Sequence, residues 1–160
     1  MDSQAFTLFH VIVSLAGIGF GFIAIYGLLS ANLWGSINML FLTTTALTSL
    51  TGYFFHRDHI LPSHIVGAIS LLVLAVTALA LYSYRLRGRW RVVFVLGATI
   101  SLYFNVFVLV AQGFLKIPSL HALAPKGSEP PFAIAQAVVL LAFIALGVAA
   151  TRRFRPLGAP

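Results

Sequence analysis

The sequence predicts an all-α integral membrane protein: a bundle of five transmembrane helices with the N-terminus outside and the C-terminus in the cytoplasm. Three observations predict it. The first is composition. Of 160 residues, 60% are hydrophobic and only 8% are charged, and mean hydropathy is +1.01. A soluble domain carries about 25% charged residues, and a disordered chain combines low hydrophobicity with high net charge. The second is continuity. Five apolar runs approach or exceed the roughly 20 residues that a bilayer-spanning helix needs. They are unbroken rather than alternating, which selects helices over barrel strands. The third is that lysine and arginine gather in segments that a five-span chain places on one side.

The five spans are residues 6–29, 37–55, 63–84, 92–115 and 132–151, and together they form one domain. Span 6–29 has no formal charge, and its Gly17 and Gly21 form a small-xxx-small face that lets a helix backbone approach closely. That face suits a neighbouring helix, a second copy of the chain or another membrane subunit. The chain opens with Asp2 and lacks a basic n-region, so span 6–29 is not read as a secretory signal. The first boundary, 30–36, is uncharged, and only Asn32, Gly35 and Ser36 signal a turn.

Span 37–55 is crowded with Thr43, Thr44, Thr45, Thr48, Ser49 and Thr51. Such hydroxyls bond back to their own helix; a polar path beside the helix is the alternative. Residues 56–62 hold His56, Arg57, Asp58, His59 and Pro62 and separate the second span from the third. Span 63–84 carries a further small pair, Ser63 and Gly67, and arginines fill 85–91 before span 92–115.

The loop 116–131 contains Pro118, Pro125, Pro130 and Pro131. Its Leu120, Ala122 and Leu123 predict a short helix lying on the membrane surface, where it can lid the residues beneath. Pro130 and Pro131 open the last span, where a missing N–H costs nothing. Glu129 stands ready to complement the positive end of that helix. The last span carries Ala145 and Ala149 as another small pair.

Orientation follows from charge. Arg85, Arg87, Arg89 and Arg91, with Arg152, Arg153 and Arg155, fall on one side, and Arg57, Lys116 and Lys126 fall on the other. The first side is cytoplasmic by the positive-inside rule. Trp34 and Trp90 fall at the same inner interface, as an aromatic belt requires. The formal charge of +7 is therefore read as a topology signal. Nucleic-acid or anionic-lipid binding is the rival reading of that charge; because the basic residues sit where the topology rule needs them, no nucleic-acid partner is expected.

This topology sends all five histidines and all three acidic residues to the outer side. His10, Thr51, His64, Gln112 and Gln136 lie at similar depth, one on each helix, and Asn105 shares the Gln112 face two turns deeper. Polar groups in hydrocarbon are costly unless they face the bundle interior and pair. The chemistry open to such a layer is narrow. The absence of cysteine excludes disulfides, thiolate metal sites, iron–sulfur clusters and cysteine nucleophiles. His56, His59 and His64 offer three imidazoles beside Asp58 as a metal set, without the usual zinc spacing. His10 and His64 could ligate a haem b axially, or serve a quinone. Solvation of His56, His59 and His121 in outer segments, and interhelical bonding by Gln112, Gln136 and Asn105, are the plainer alternatives.

Three functions remain open. One is a non-enzymatic accessory or small-ligand-binding module with a His/Gln layer near the periplasmic face. The second is a haem, metal or quinone redox module using His10 and His64 with Gln112 and Gln136. The third is a small transporter that adds Asn105 and the threonines of span 37–55. Lack of a buried acid argues against proton-driven transport. Hydrolysis is disfavoured because no carboxylate is placed to orient a histidine as base.

The segment Tyr103-Phe-Asn-Val-Phe-Val-Leu-Val-Ala-Gln-Gly-Phe-Leu-Lys-Ile-Pro118, with Ala124-Pro125 and Glu129-Pro-Pro-Phe132, resembles small uncharacterised inner-membrane proteins of proteobacteria, and the likeness runs over nearly the whole chain. It implies a bacterial inner-membrane location and carries no activity. His64-Ile-Val-Gly67 resembles helix openings in other small bacterial membrane proteins. In topology alone the chain is loosely similar to the tryptophan-rich sensory protein (translocator) family. It has only two tryptophans and lacks that family's Trp-Pro-Pro pattern, so no ligand site transfers.

Overall fold

A computed structural model describes residues 4–55 and 62–155, with the backbone alone at 62–64. Of the described residues 84% are helical, and none is in a strand. The elements are α1 (Gln4–Leu29), α2 (Gly35–Gly52), α3 (Pro62–Ala78, continued by a wider turn at Leu79–Ser83), α4 (Trp90–Lys116), the short α5 (Pro118–Leu123) and α6 (Pro130–Arg153). Four of these are long and apolar enough to cross a membrane: α1, α3 from Ile65 through its wide turn, α4 and α6. The fifth, α2, has 18 residues but is diluted by its asparagine, serines and threonines and is not among them.

Local chemistry sets the ends. Helix α1 stops in a Schellman turn, in which Asn32 N–H donates to Gly27 O at 2.8 Å and Ala31 N–H to Leu28 O at 3.1 Å. Ala31 takes the left-handed position usually held by glycine, with φ 59°. Gly27 has no side chain because the Trp34 ring folds onto it: a Cβ there would lie 3.2 Å from the indole. Helix α2 ends at Gly52, short of the predicted 55, where Tyr53 and Phe54 N–H groups tighten onto Leu50 and Thr51 carbonyls. At the end of α3 the ladder widens, with Tyr84 N–H donating to Leu79 O at 3.0 Å and Leu86 N–H to Ala80 O at 3.0 Å. Arg85 and Leu86 follow at φ 48° and 59°. Leu86 thereby turns back into the core while Arg85, Arg87 and Arg89 stay exposed.

Helix α4 is central. It packs against α1, α3, α5 and α6 and touches α2, which lies between α1 and α3. Small residues permit this. Gly21 is buried where a Cβ would come within 2.5 Å of Leu102 Cδ1 and 2.8 Å of the Phe41 ring, and Gly17 faces Thr44. The Gly17/Gly21 face is therefore filled from within the chain.

The surface is far more apolar than that of a soluble protein, and several polar side chains join the apolar core. Asn38, Thr45, Ser70, Thr77, Thr99, Ser101 and Gln136 are buried, whereas Phe54, Leu72 and Leu141 are 71%, 67% and 66% exposed. Water would penalise that surface heavily. In a bilayer, small polar side chains join helices and large apolar ones meet lipid.

Candidate functional site

One cavity opens between α1, α2, α3 and α4, with a volume of about 560 Å³. On α4 its walls run from Phe104 to Lys116 and on α1 from Thr7 to Ile18, which is about 17 Å along the helix axes at 1.5 Å per residue. Most of the wall is apolar: Val11, Leu15, Ile18, Val66, Val108 and Leu109. Polar groups sit at defined heights. Counted along the helices, Lys116, Gln112 and His10 lie toward the α1 N-terminal end; Ser14, Thr48, Ser49 and Ser70 come next; Asn105 lies farthest from that end. Among the described residues no carboxylate lines it.

The helix periodicity explains the arrangement. Asn105, Gln112 and Lys116 recur at spacings of seven and four on α4, so they share one face. His10 and Ser14 are four apart on α1, and Ser14 donates its hydroxyl back to His10 O at 2.7 Å. Helix α2 runs beside α1, which sets Thr51 against His10: Nδ1 lies 2.7 Å from Thr51 Oγ1. The imidazole also meets the Phe55 ring edge-on, with centroids 5.0 Å apart. Ser49 donates to Ser70 Oγ at 3.3 Å, joining α2 to α3. Asn105 donates to Thr45 Oγ1 at 3.0 Å, joining α4 to α2. The Thr48 hydroxyl oxygen is buried without a partner beside this cavity.

Of the residues predicted to form one polar layer, His10, Gln112 and the deeper Asn105 line the cavity, and Thr51 meets it through His10. Gln136 does not. It is buried on α6 and donates from Nε2 to Phe107 O at 3.1 Å, leaving Oε1 unpartnered. Helix α6 packs on the side of α4 away from the cavity-lining face, so equal depth does not bring Gln136 to the other members. His64 opens α3 beside the cavity-lining residues Val66 and Gly67, but its side chain lies outside the described residues, as do His56 and His59 entirely. Among the described residues no group of three or more histidines, cysteines or acids comes together for a metal. Of the pair proposed for axial haem ligation, His10 stands on the cavity.

Ser14, Thr48, Ser49, Ser70 and Lys116 are cavity residues that the layer did not include. The i, i+4 relations of Ser14 to His10 and of Lys116 to Gln112 were the available signal.

The other end of the bundle is basic. Arg91 donates from Nη1 to Thr151 O at 2.9 Å and also to Phe154 O, which fixes the start of α4 against the end of α6. Arg85, Arg87 and Arg89 are therefore at the same end as Arg152, Arg153 and Arg155, and all six are exposed. Trp90 stacks on Tyr84 with centroids 3.8 Å apart and rings 2° from parallel, and Trp34 lies 6.0 Å from Tyr26.

In the loop before α6, the Glu129 carboxylate makes no capping bond to that helix. It accepts from Lys126 N–H at 2.9 Å and Ser128 N–H at 3.0 Å. Those amide bonds, Lys126 first, hold its pKa below the ordinary glutamate value. Glu129 is the residue that caps the start of α6, and its side chain bonds the amides of the preceding turn rather than those of the helix.

Comparison with protein-family models, curated proteins and solved structures finds no match to this chain in any of the three.

Proposed function

We propose that this protein is a non-catalytic small-ligand-binding module of the bacterial inner membrane, holding an amphiphilic molecule near the periplasmic face. The cavity carries the reading: four helices leave space with apolar walls and a few convergent polar groups, the usual form of a small-molecule site. Among the described residues no lining carboxylate is placed to orient His10 as a general base.

In this proposal all five long helices cross the bilayer. At 1.5 Å per residue α2 is about 27 Å long, close to the roughly 30 Å hydrocarbon core. It packs between α1 and α3 and turns Asn38 and Thr45 inward, as a lipid-embedded helix would. The arginine-rich end, with Trp34 and Trp90, is cytoplasmic, so the His10 end faces the periplasm. The lipid bilayer is the partner of the exposed apolar belt. An accessory role would bring a second membrane subunit against that same outer surface, because Gly17 and Gly21 are already covered.

Native mass spectrometry of the protein released from nanodiscs tests the cavity, with decylubiquinone, decylubiquinol and lauric acid as probes. One of them should bind one-to-one in the wild type and be lost in Ser14→Trp and Val108→Trp, which fill the space. Equal retention by wild type and both variants would sink the proposal. A reporter fused after Pro160 should be active in the cytoplasm, and periplasmic activity there would reject the five-span orientation.

A further inference from the structure

We infer that the cavity takes a quinol-type ligand, a hydroxylated ring on an apolar tail, with His10 Nε2 accepting a hydrogen bond from a ring hydroxyl. This rests on the ligand-binding reading above and names its ligand class.

The argument begins at Thr51. A threonine hydroxyl has one proton to give. Thr51 Oγ1 lies 2.7 Å from Leu47 O and 3.2 Å from Thr48 O, and carbonyls can only accept. The hydroxyl proton is therefore directed along its own helix, in the back-bonded geometry common for threonine. Thr51 Oγ1 must then accept from His10 across the 2.7 Å contact, so Nδ1 carries the imidazole proton. In the neutral ring this leaves Nε2 with a lone pair and no proton. His10 is itself a wall of the cavity. A ligand group that meets Nε2 favourably must bring its own donor. A quinone carbonyl or a carboxylate, which bring only lone pairs, would be repelled there.

The surroundings specify the rest. Gln112 and Lys116, one turn apart on α4, also line the cavity and supply donors for a second oxygen. A hydroxyl both donates and accepts, so a quinol ring with two of them satisfies His10 on one side and these donors on the other. The walls suit a flat ring. Phe55, Tyr53 and Phe104 line the cavity, and Gly52 presents backbone without a side chain next to His10, while the Tyr53 ring packs on Gly67. The apolar residues Leu15, Ile18, Val108 and Leu109 accommodate a tail.

The test compares decylubiquinol with decylubiquinone on the full chain in nanodiscs, with lauric acid as a third probe. The quinol should bind about tenfold or more tightly than the quinone, one hydrogen bond's worth of discrimination. Thr51→Val, nearly isosteric, releases the tautomer and should bring that ratio close to one. Nitrogen-15 spectra of His10 give a readout independent of any variant: Nε2 should appear unprotonated and move on addition of quinol but not of quinone. Quinone binding equal to quinol, an unchanged ratio in Thr51→Val, or a protonated Nε2 would each overturn the inference. Lauric acid held in the cavity and displaced by Ser14→Trp, with no quinol binding, would remove the quinol assignment and leave the ligand-binding reading standing. If none of the three probes binds, both fall.

Discussion

Gly97 and Thr77 mark the closest approach of α4 and α3: a Cβ on Gly97 would collide with Thr77 Oγ1 and lie 3.1 Å from Thr77 Cβ. Thr77 is fully buried, and its hydroxyl donates to Val73 O at 2.7 Å, so it cannot swing aside. Gly97→Ala should therefore cost about 2–3 kcal/mol, the range of overpacked cores. In unfolding titrations in mixed micelles, the added Thr77→Ala should recover a large part of that loss. Additive losses in the double variant would show that the two residues do not conflict.

Arg91 should matter for stability as well as orientation. Its guanidinium meets carbonyls at the end of α6, where the helix dipole is negative. Arg91→Ala should cost about 2 kcal/mol, as for a charged hydrogen bond, while Arg87→Ala on the exposed loop should cost little. The same micelle titration checks the contrast, and equal effects would remove the clamp.

Ala31 offers a gain. It occupies a left-handed position that costs a non-glycine residue roughly 1 kcal/mol or more. Ala31→Gly should stabilise the chain by up to about 1 kcal/mol after the entropy of the unfolded glycine is counted. Thermal unfolding of the purified variant should show a higher midpoint, and a lower one would contradict the Schellman assignment.

Gln136→Leu should be nearly neutral. It removes one bond to a carbonyl of α4 but also removes a buried oxygen with no partner. Interhelical side-chain bonds in membranes average only about 0.6 kcal/mol. A loss above about 2 kcal/mol would mean that the amide has a role at this site beyond its one bond to Phe107 O.

Glu129 carries a pH effect confined to its loop. Its folded pKa is depressed, so the turn with Lys126 and Ser128 is held above the unfolded glutamate pKa and lost as pH falls through the folded value. Amide signals of Lys126 and Ser128 should shift together across that acidic window, and Glu129→Gln should abolish the transition.

Much of the helical plan was legible because apolar runs are long: residues 6–29, 92–115 and 132–151 lie within α1, α4 and α6. The short α5 followed from Leu120, Ala122 and Leu123 after a proline. The wide turn at Leu79–Ser83 left no mark, because leucines and alanines suit an α-turn equally well. Depth was readable by counting along each span, and His10 and Thr51 do meet. Azimuth was not. In an apolar helix such as α6 the residues around the circumference are too alike to say which way Gln136 turns. The arginines announced charge, but nothing in their spacing distinguished Arg91, which reaches α6, from its exposed neighbours.

The apolar surface has a consequence for sequence drift. In a water-soluble protein the apolar interior is the part that resists change. Here the surface needs only to be oily, so Leu8, Phe54, Leu72 and Leu141 are interchangeable with other lipophilic residues. Mutational intolerance should concentrate at the small and hydroxylated positions inside, Gly21, Gly97, Thr45 and Thr77. A saturation scan of this chain would then be permissive on its greasy exterior and strict inside, at these close-packed small and hydroxylated positions as well as at the apolar core of Phe41, Phe94 and Leu102.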